Sequence, residues 1–126
     1  MAEWQARPVR KLTGGRYRDY RKRKKYDAGS VPTHTKIGKI KTKAIRAMGG
    51  NAKIRMLVSD RMIVYNPKTK TSQKAKIITV KENNANPHFV HRNIMTKGAI
   101  VQTEIGLAKI TSRPGQHGII SGILVK

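Results

Sequence analysis

Ala99-Ile100-Val101-Gln102-Thr103-Glu104-Ile105-Gly106-Leu107-Ala108-Lys109-Ile110-Thr111-Ser112-Arg113-Pro114-Gly115-Gln116-His117-Gly118-Ile119-Ile120-Ser121-Gly122-Ile123-Leu124-Val125 decides how this chain folds. Ala99 to Thr103 and Leu107 to Ser112 read as strands, with Gly106 a bulge or bend between them. Pro114-Gly115 fits a type II turn, because proline fixes φ and glycine accepts a positive φ. Ile119 to Val125 returns as the last strand.

Upstream the same grammar continues. Lys39, Lys41 and Lys43 alternate with Ile40, Thr42 and Ala44, a period of two. Gly49-Gly50 signals a two-residue hairpin turn. Ala52, Ile54, Met56 and Val58 then alternate with Lys53, Arg55 and Leu57. Ser59-Asp60 reads as a turn, Met62 to Tyr65 as a short apolar strand halted by Asn66-Pro67, and Gln73 to Lys81 as another strand. Glu82 to Pro87 is a loop by composition, with room for a short helix between Phe89 and Met95. Many short strands with Gly/Pro turns and no long helical period predict an all-β fold, a small closed or nearly closed β-barrel. Closure is favoured because a small open sheet leaves unpaired edges. The 126 residues suggest one domain, with the barrel over residues 36–126.

Residues 1–35 differ in kind and predict an extended basic N-terminal arm. Their apolar residues show no sustained period, and Pro8, Gly14-Gly15, Gly29 and Pro32 interrupt them. Arg7, Arg10 and Lys11 lead into Arg16-Tyr17-Arg18-Asp19-Tyr20-Arg21-Lys22-Arg23-Lys24-Lys25, where seven of ten positions are cationic. Like charges repel and little apolar surface is available, so such a segment orders on a dense polyanion. Tyr17, Tyr20 and Tyr26 suit stacking on exposed bases, and Gly14 and Gly15 let the backbone approach a polyphosphate chain closely. The net charge is +22, with 17 Lys/Arg against 3 Asp/Glu in residues 1–55. A field of that size attracts polyanions from a distance.

The inventory argues against catalysis. The six carboxylates are Glu3, Asp19, Asp27, Asp60, Glu82 and Glu104, and no two have acid/base spacing. Cysteine is absent, which excludes disulfides and thiolate metal sites and fits a reducing compartment. His88-Phe89-Val90-His91 lacks an evident third metal ligand, so neither metal nor cofactor is expected. Thr13-Gly14-Gly15-Arg16 lacks the Gly-Lys-Ser/Thr ending of a phosphate-binding loop. No leader peptide is expected from the N-terminal sequence, and no apolar run approaches the ~20 residues of a membrane span. No small-molecule substrate or membrane partner is expected.

Nucleic acid is the expected partner. Zinc-finger, helix-turn-helix and basic-zipper patterns are missing, and an Arg/Lys/Tyr/Gly arm on a small β body suits irregular folded RNA. Lys39, Lys41, Lys43, Lys53 and Arg55 are either a solvated strand face or phosphate contacts. Arg113, Gln116 and His117 cluster on one turn and are candidates for insertion against RNA.

Taken in order, the motifs resemble small-subunit ribosomal protein eight of the archaeal and eukaryotic type. They are Trp4-Gln5, Arg10-Lys11, Thr13-Gly14-Gly15-Arg16, the basic run to Tyr26, Gly29, Thr35-Lys36-Ile37-Gly38, Gly49-Gly50-Asn51 with Lys53 and Arg55, Asn86-Pro87, Arg92-Asn93, Lys97-Gly98-Ala99-Ile100, and Thr111-Ser112-Arg113-Pro114-Gly115-Gln116 with Gly118. The resemblance covers nearly the whole chain. Ala6 and Pro8 depart from the glycine and serine common in that family, and the long insertion of its eukaryotic members is missing. The resemblance implies a β-barrel with a basic arm threaded into small-subunit ribosomal RNA, no enzymatic activity, neighbouring small-subunit ribosomal proteins as partners, and a place in the cytoplasmic ribosome. Carried over by position, it implies RNA contacts at Arg10, Lys11, Thr13, Gly14, Gly15, Arg16, the cations through Lys25, Arg55, Arg113 and Gln116. Two rival readings share the same chemistry: a ribosome-assembly factor built on this domain, and a basic DNA-compacting protein.

Overall fold

A computed structural model describes residues 3–125. The chain divides into two compact units, one ending at Pro32 and the other beginning at Thr33.

The second unit carries the sheets. Its elements are β1 (Thr35–Lys36), β2 (Lys41–Arg46), β3 (Ala52–Val58), β4 (Arg61–Asn66), β5 (Thr71–Glu82), α1 (His88–His91), β6 (Ile94–Met95), β7 (Ile100–Thr103), β8 (Leu107–Ile110), α2 (Pro114–His117) and β9 (Ser121–Leu124). Five strands close a barrel in the order β4-β5-β7-β8-β9, with β9 returning parallel to β4. The remaining four form a second sheet, β2-β3-β1-β6. The expected all-β barrel is borne out.

Alternation builds the core. Met62 and Val64 of β4, Ala75 and Ile77 of β5, Val101 of β7, and Ala108 and Ile110 of β8 are all buried, and their neighbours face out. Each buried Val or Ile contributes roughly 1.5–3 kcal/mol. In β5 the inward parity changes after Ile77, so that Val80 is the next buried apolar residue. Ladder irregularities between Ile77 and Thr79 and between Val80 and Glu82 make the change, since a bulge inserts one unpaired residue and bends the strand. Asn93 supports the irregular stretch: its Oδ1 accepts from Val80 N and from Thr79 Oγ1, each at 3.1 Å. Asn83 does the same for the following loop, donating to Ile94 O and accepting from Ala85 N and Thr96 Oγ1.

Two of three turns differ from the sequence expectation. Gly49 and Gly50 do take positive φ (+71° and +76°), but inside a five-residue connection, Ala47 to Asn51, closed by Ala47 N donating to Asn51 O. Ser59-Asp60 carries the chain from one sheet to the other, since β3 and β4 do not pair; the Ser59 hydroxyl bonds both the amide and the carbonyl of Arg61. Pro114-Gly115 is a single helical turn rather than a type II turn. Proline is preorganised for the first helical position, and the positive φ falls on Gly118 (+68°), the C-cap, rather than on Gly115.

Among its described residues the first unit has no buried side chain. It is not a simple extended thread. Trp4 and Ala28 form an antiparallel bridge, as do Arg10 and Arg16. Gly29 N donates to Glu3 O, Gln5 N to Asp27 O, and Tyr17 N to Val9 O. The segment therefore doubles back, turning at Gly14 (φ +83°).

Candidate nucleic-acid interface

Within the first unit, cations and tyrosines brace one another. The Arg7 guanidinium lies 4.3 Å from the centre of the Tyr17 ring and donates to Arg18 O at 3.0 Å. Arg21 lies over Tyr20 at 5.3 Å and Tyr26 at 5.6 Å, donates to the Tyr26 hydroxyl at 2.8 Å, and pairs with Asp27 at 3.4 Å. The Tyr26 hydroxyl bond pushes the Arg21 pKa up; burial opposes it, and the charges of Tyr20, Tyr26 and Asp27 add lesser upward effects. Lys11 reaches the other tyrosine contact, 5.5 Å from Tyr17, while Lys24 approaches Tyr26 and Arg23 approaches Trp4, each at 5.9 Å. Contacts of this kind contribute about 0.5–1 kcal/mol at exposed sites, so they offset part of the repulsion in so basic a segment.

The Thr13-Gly14-Gly15-Arg16 turn is built by backbone bonds. Lys11 N donates to Gly15 O, Gly14 N donates back to Lys11 O, and the Arg10 guanidinium holds Gly14 O at 3.1 Å. Arg16, Arg18, Lys22 and Lys25 are exposed, and none has a carboxylate partner among the described residues.

In the second unit, β2 and β3 form a hairpin with most of β2 and the first three residues of β3 in water. Residues directly opposite across an antiparallel ladder share a face. Lys43 stands opposite Arg55 and Ile45 opposite Lys53, so these three cations occupy one face of the hairpin. The opposite face carries Ile54, which meets the α2 turn. A Cβ on Gly118 would lie 2.8 Å from Ile54 Cγ2 and 3.0 Å from Ile54 O, a contact that glycine alone permits. Arg113, Gln116 and His117 are exposed on that turn, with His117 Nδ1 accepting from Arg113 N at 3.4 Å. The structure thus packs the turn that carries Arg113, Gln116 and His117 on the strand that carries Lys53 and Arg55.

Sequence reasoning passed over one basic group. Arg61 of β4 faces Lys76 of β5 on the barrel wall, with Lys74 two residues along. The alternation Lys74-Ala75-Lys76-Ile77 is the signal that exposes it. His88 and His91 sit on α1, where Phe89 meets His34 edge-on at 5.3 Å. Among the described residues no group of three or more His, Cys, Asp or Glu is placed to hold a metal.

Residues 4–125 match the family model described as ribosomal protein S8e. This chain belongs to the ribosomal protein S8e family. Archaeal relatives agree over nearly their whole length. The small ribosomal subunit protein eS8 of Methanospirillum hungatei is 49% identical, covering 98% of this chain and 99% of the relative. Its counterpart in Picrophilus torridus is 48% identical over 99% and 100%, and that in Methanocorpusculum labreanum 50% identical over 98% of each. The S8e match spans both units, so the braced basic segment and the barrel are parts of one family pattern. The resemblance read from the motifs is borne out.

Proposed function

We propose that this S8e chain is a structural component of the small ribosomal subunit that binds and stabilises folded small-subunit ribosomal RNA. The basic leader, residues 1–35, and a basic face of the barrel domain, residues 36–126, provide the contacts. Its close relatives carry the name small ribosomal subunit protein eS8 over full length. The observation that carries the mechanism is the charge imbalance. The chain has 28 Lys and Arg, yet just two ion pairs form among the described residues, Arg21–Asp27 and Arg61–Asp60. Phosphates supply the missing countercharge, and release of their condensed cations drives binding.

In the leader, Arg7, Arg10, Lys11, Arg16, Arg18 and the run Arg21 to Lys25 neutralise phosphates where RNA helices crowd together. Thr13, Gly14 and Gly15 let the backbone approach. Tyr17, Tyr20 and Tyr26 pack on bases or sugars from positions held by their cation partners. In the barrel domain, Lys53 and Arg55 contact RNA from one face of the hairpin, and Arg113, Gln116 and His117 from the turn packed on its other face. The role is architectural rather than enzymatic, and neighbouring ribosomal proteins share the same cytoplasmic particle.

Quantitative mass spectrometry of purified mature and precursor subunits tests this. The reading predicts one copy per mature subunit. A chain confined to precursors is an assembly factor instead, and preference for duplex DNA over structured ribosomal RNA in competition points to a compacting protein.

A further inference from the structure

The outer wall of the barrel carries an apolar band outside the residues assigned above to RNA. On β4, Ile63 and Tyr65 face outward between buried Met62 and Val64. Ile123 of β9 stands opposite Tyr65, and Val125 donates to Leu107 O at 2.8 Å, extending the band onto β8. These five side chains are 37–42% exposed and lie on adjacent strands, Val125 just past the end of β9. Scattered surface aliphatics need no explanation, whereas a contiguous patch marks an interaction site. At Ile63 the band opens into a groove of about 240 Å³ walled by Ile40 and Ile119, both more than half exposed.

The rim of this surface is cationic. Arg61 and Lys74 line the groove, Lys76 stands opposite Arg61, and Lys109 stands opposite Ile123. Asp60, 3.7 Å from Arg61, is the one ion-pair partner on that rim among the described residues.

We propose that the band and groove dock a protein segment in which aliphatic side chains are flanked by carboxylates. Charge complementarity selects this occupant. RNA fits poorly, because aliphatic side chains give bases no stacking platform and would strip water from phosphates without replacing its hydrogen bonds. A second copy of this chain fits poorly too, since a symmetric contact would set Arg61, Lys74 and Lys76 against their own like charges. An acidic, aliphatic segment buries the band and answers the rim together. The inference rests on the subunit reading for where that partner is found.

Benzoylphenylalanine placed at Tyr65, followed by irradiation of purified intact small subunits and mass spectrometry, tests it. The expected adduct joins Tyr65's position to a single segment of another ribosomal protein rich in aliphatic residues and Asp/Glu. Ile63→Ser and Lys74→Glu should each lower its yield several-fold, while Lys74→Arg should retain it. Adducts to ribosomal RNA, to a second copy, or to a segment without acids overturn the proposal, as does a chain that is present in the particle but yields no adduct. Absence of the chain from the particles would instead overturn the subunit reading, and this inference with it.

Discussion

Lys43 and Arg55 stand directly opposite each other in the β2–β3 ladder. Like charges so placed weaken a sheet by about 0.2–1 kcal/mol. Arg61 and Lys76 repeat the arrangement on the barrel wall. Neither Lys43 nor Arg55 has an acidic partner among the described residues. The hairpin thus carries a repulsion that a bound polyanion would relieve.

Replacing Lys43 with Glu should therefore split two properties. The free protein should gain roughly 0.2–1 kcal/mol in urea unfolding, as an opposite-charge pair replaces a repulsive one. Its affinity for ribosomal RNA should fall. A variant that loses stability, or binds RNA as well as the parent, would remove the hairpin from the interface.

Gly118→Ala should damage the body-side site through packing. The new Cβ meets Ile54 at 2.8 Å, and the residue sits at φ +68°. Overpacking of this kind costs about 1–3 kcal/mol. Thermal unfolding should show that loss, together with weaker RNA binding as the Arg113–His117 turn shifts. Gly50→Ala, with φ +76° but nothing within 4 Å, should cost less.

Asn93→Ala should be costly despite its small volume. Asn93 Oδ1 satisfies Val80 N and the Thr79 hydroxyl at the irregular stretch of β5. Leaving these part-buried donors unpaired costs at most about 1–3 kcal/mol. Denaturant midpoints should fall while the salt dependence of RNA binding stays unchanged.

Much of this was legible in the sequence because strand periodicity is a two-residue signal. Ala75 and Ile77, alternating with Lys74 and Lys76, declare an inward face directly, whereas Met62 and Val64 alternate with the also apolar Ile63 and Tyr65. Val80 does not declare its face, because its parity depends on a bulge braced by Asn93, thirteen residues away in sequence. The Pro114-Gly115 step is ambiguous for a similar reason. The dipeptide suits two turn types, and the choice is made by Gly118 against Ile54, a contact of high sequence separation. The leader's cations were plain from composition. Its doubled path was not, because it depends on pairings such as Arg7 with Tyr17 that no local period encodes.

Within the leader, braced and unbraced cations should behave differently. Lys22→Ala removes one phosphate contact and should lower the salt slope by about 1, uniformly across RNA sequences. Arg21→Ala should lower the slope similarly but also free Tyr26 and Asp27. Amide hydrogen exchange at Ala28, whose N–H bonds Lys25 O, should then accelerate in the Arg21 variant alone.

The most direct test of the account is a salt titration of the full chain against folded small-subunit ribosomal RNA. Neutralisation of ~6–10 phosphates predicts an affinity loss of roughly 10³–10⁵ between 50 and 200 mM salt. An affinity that stays flat across that range would contradict it.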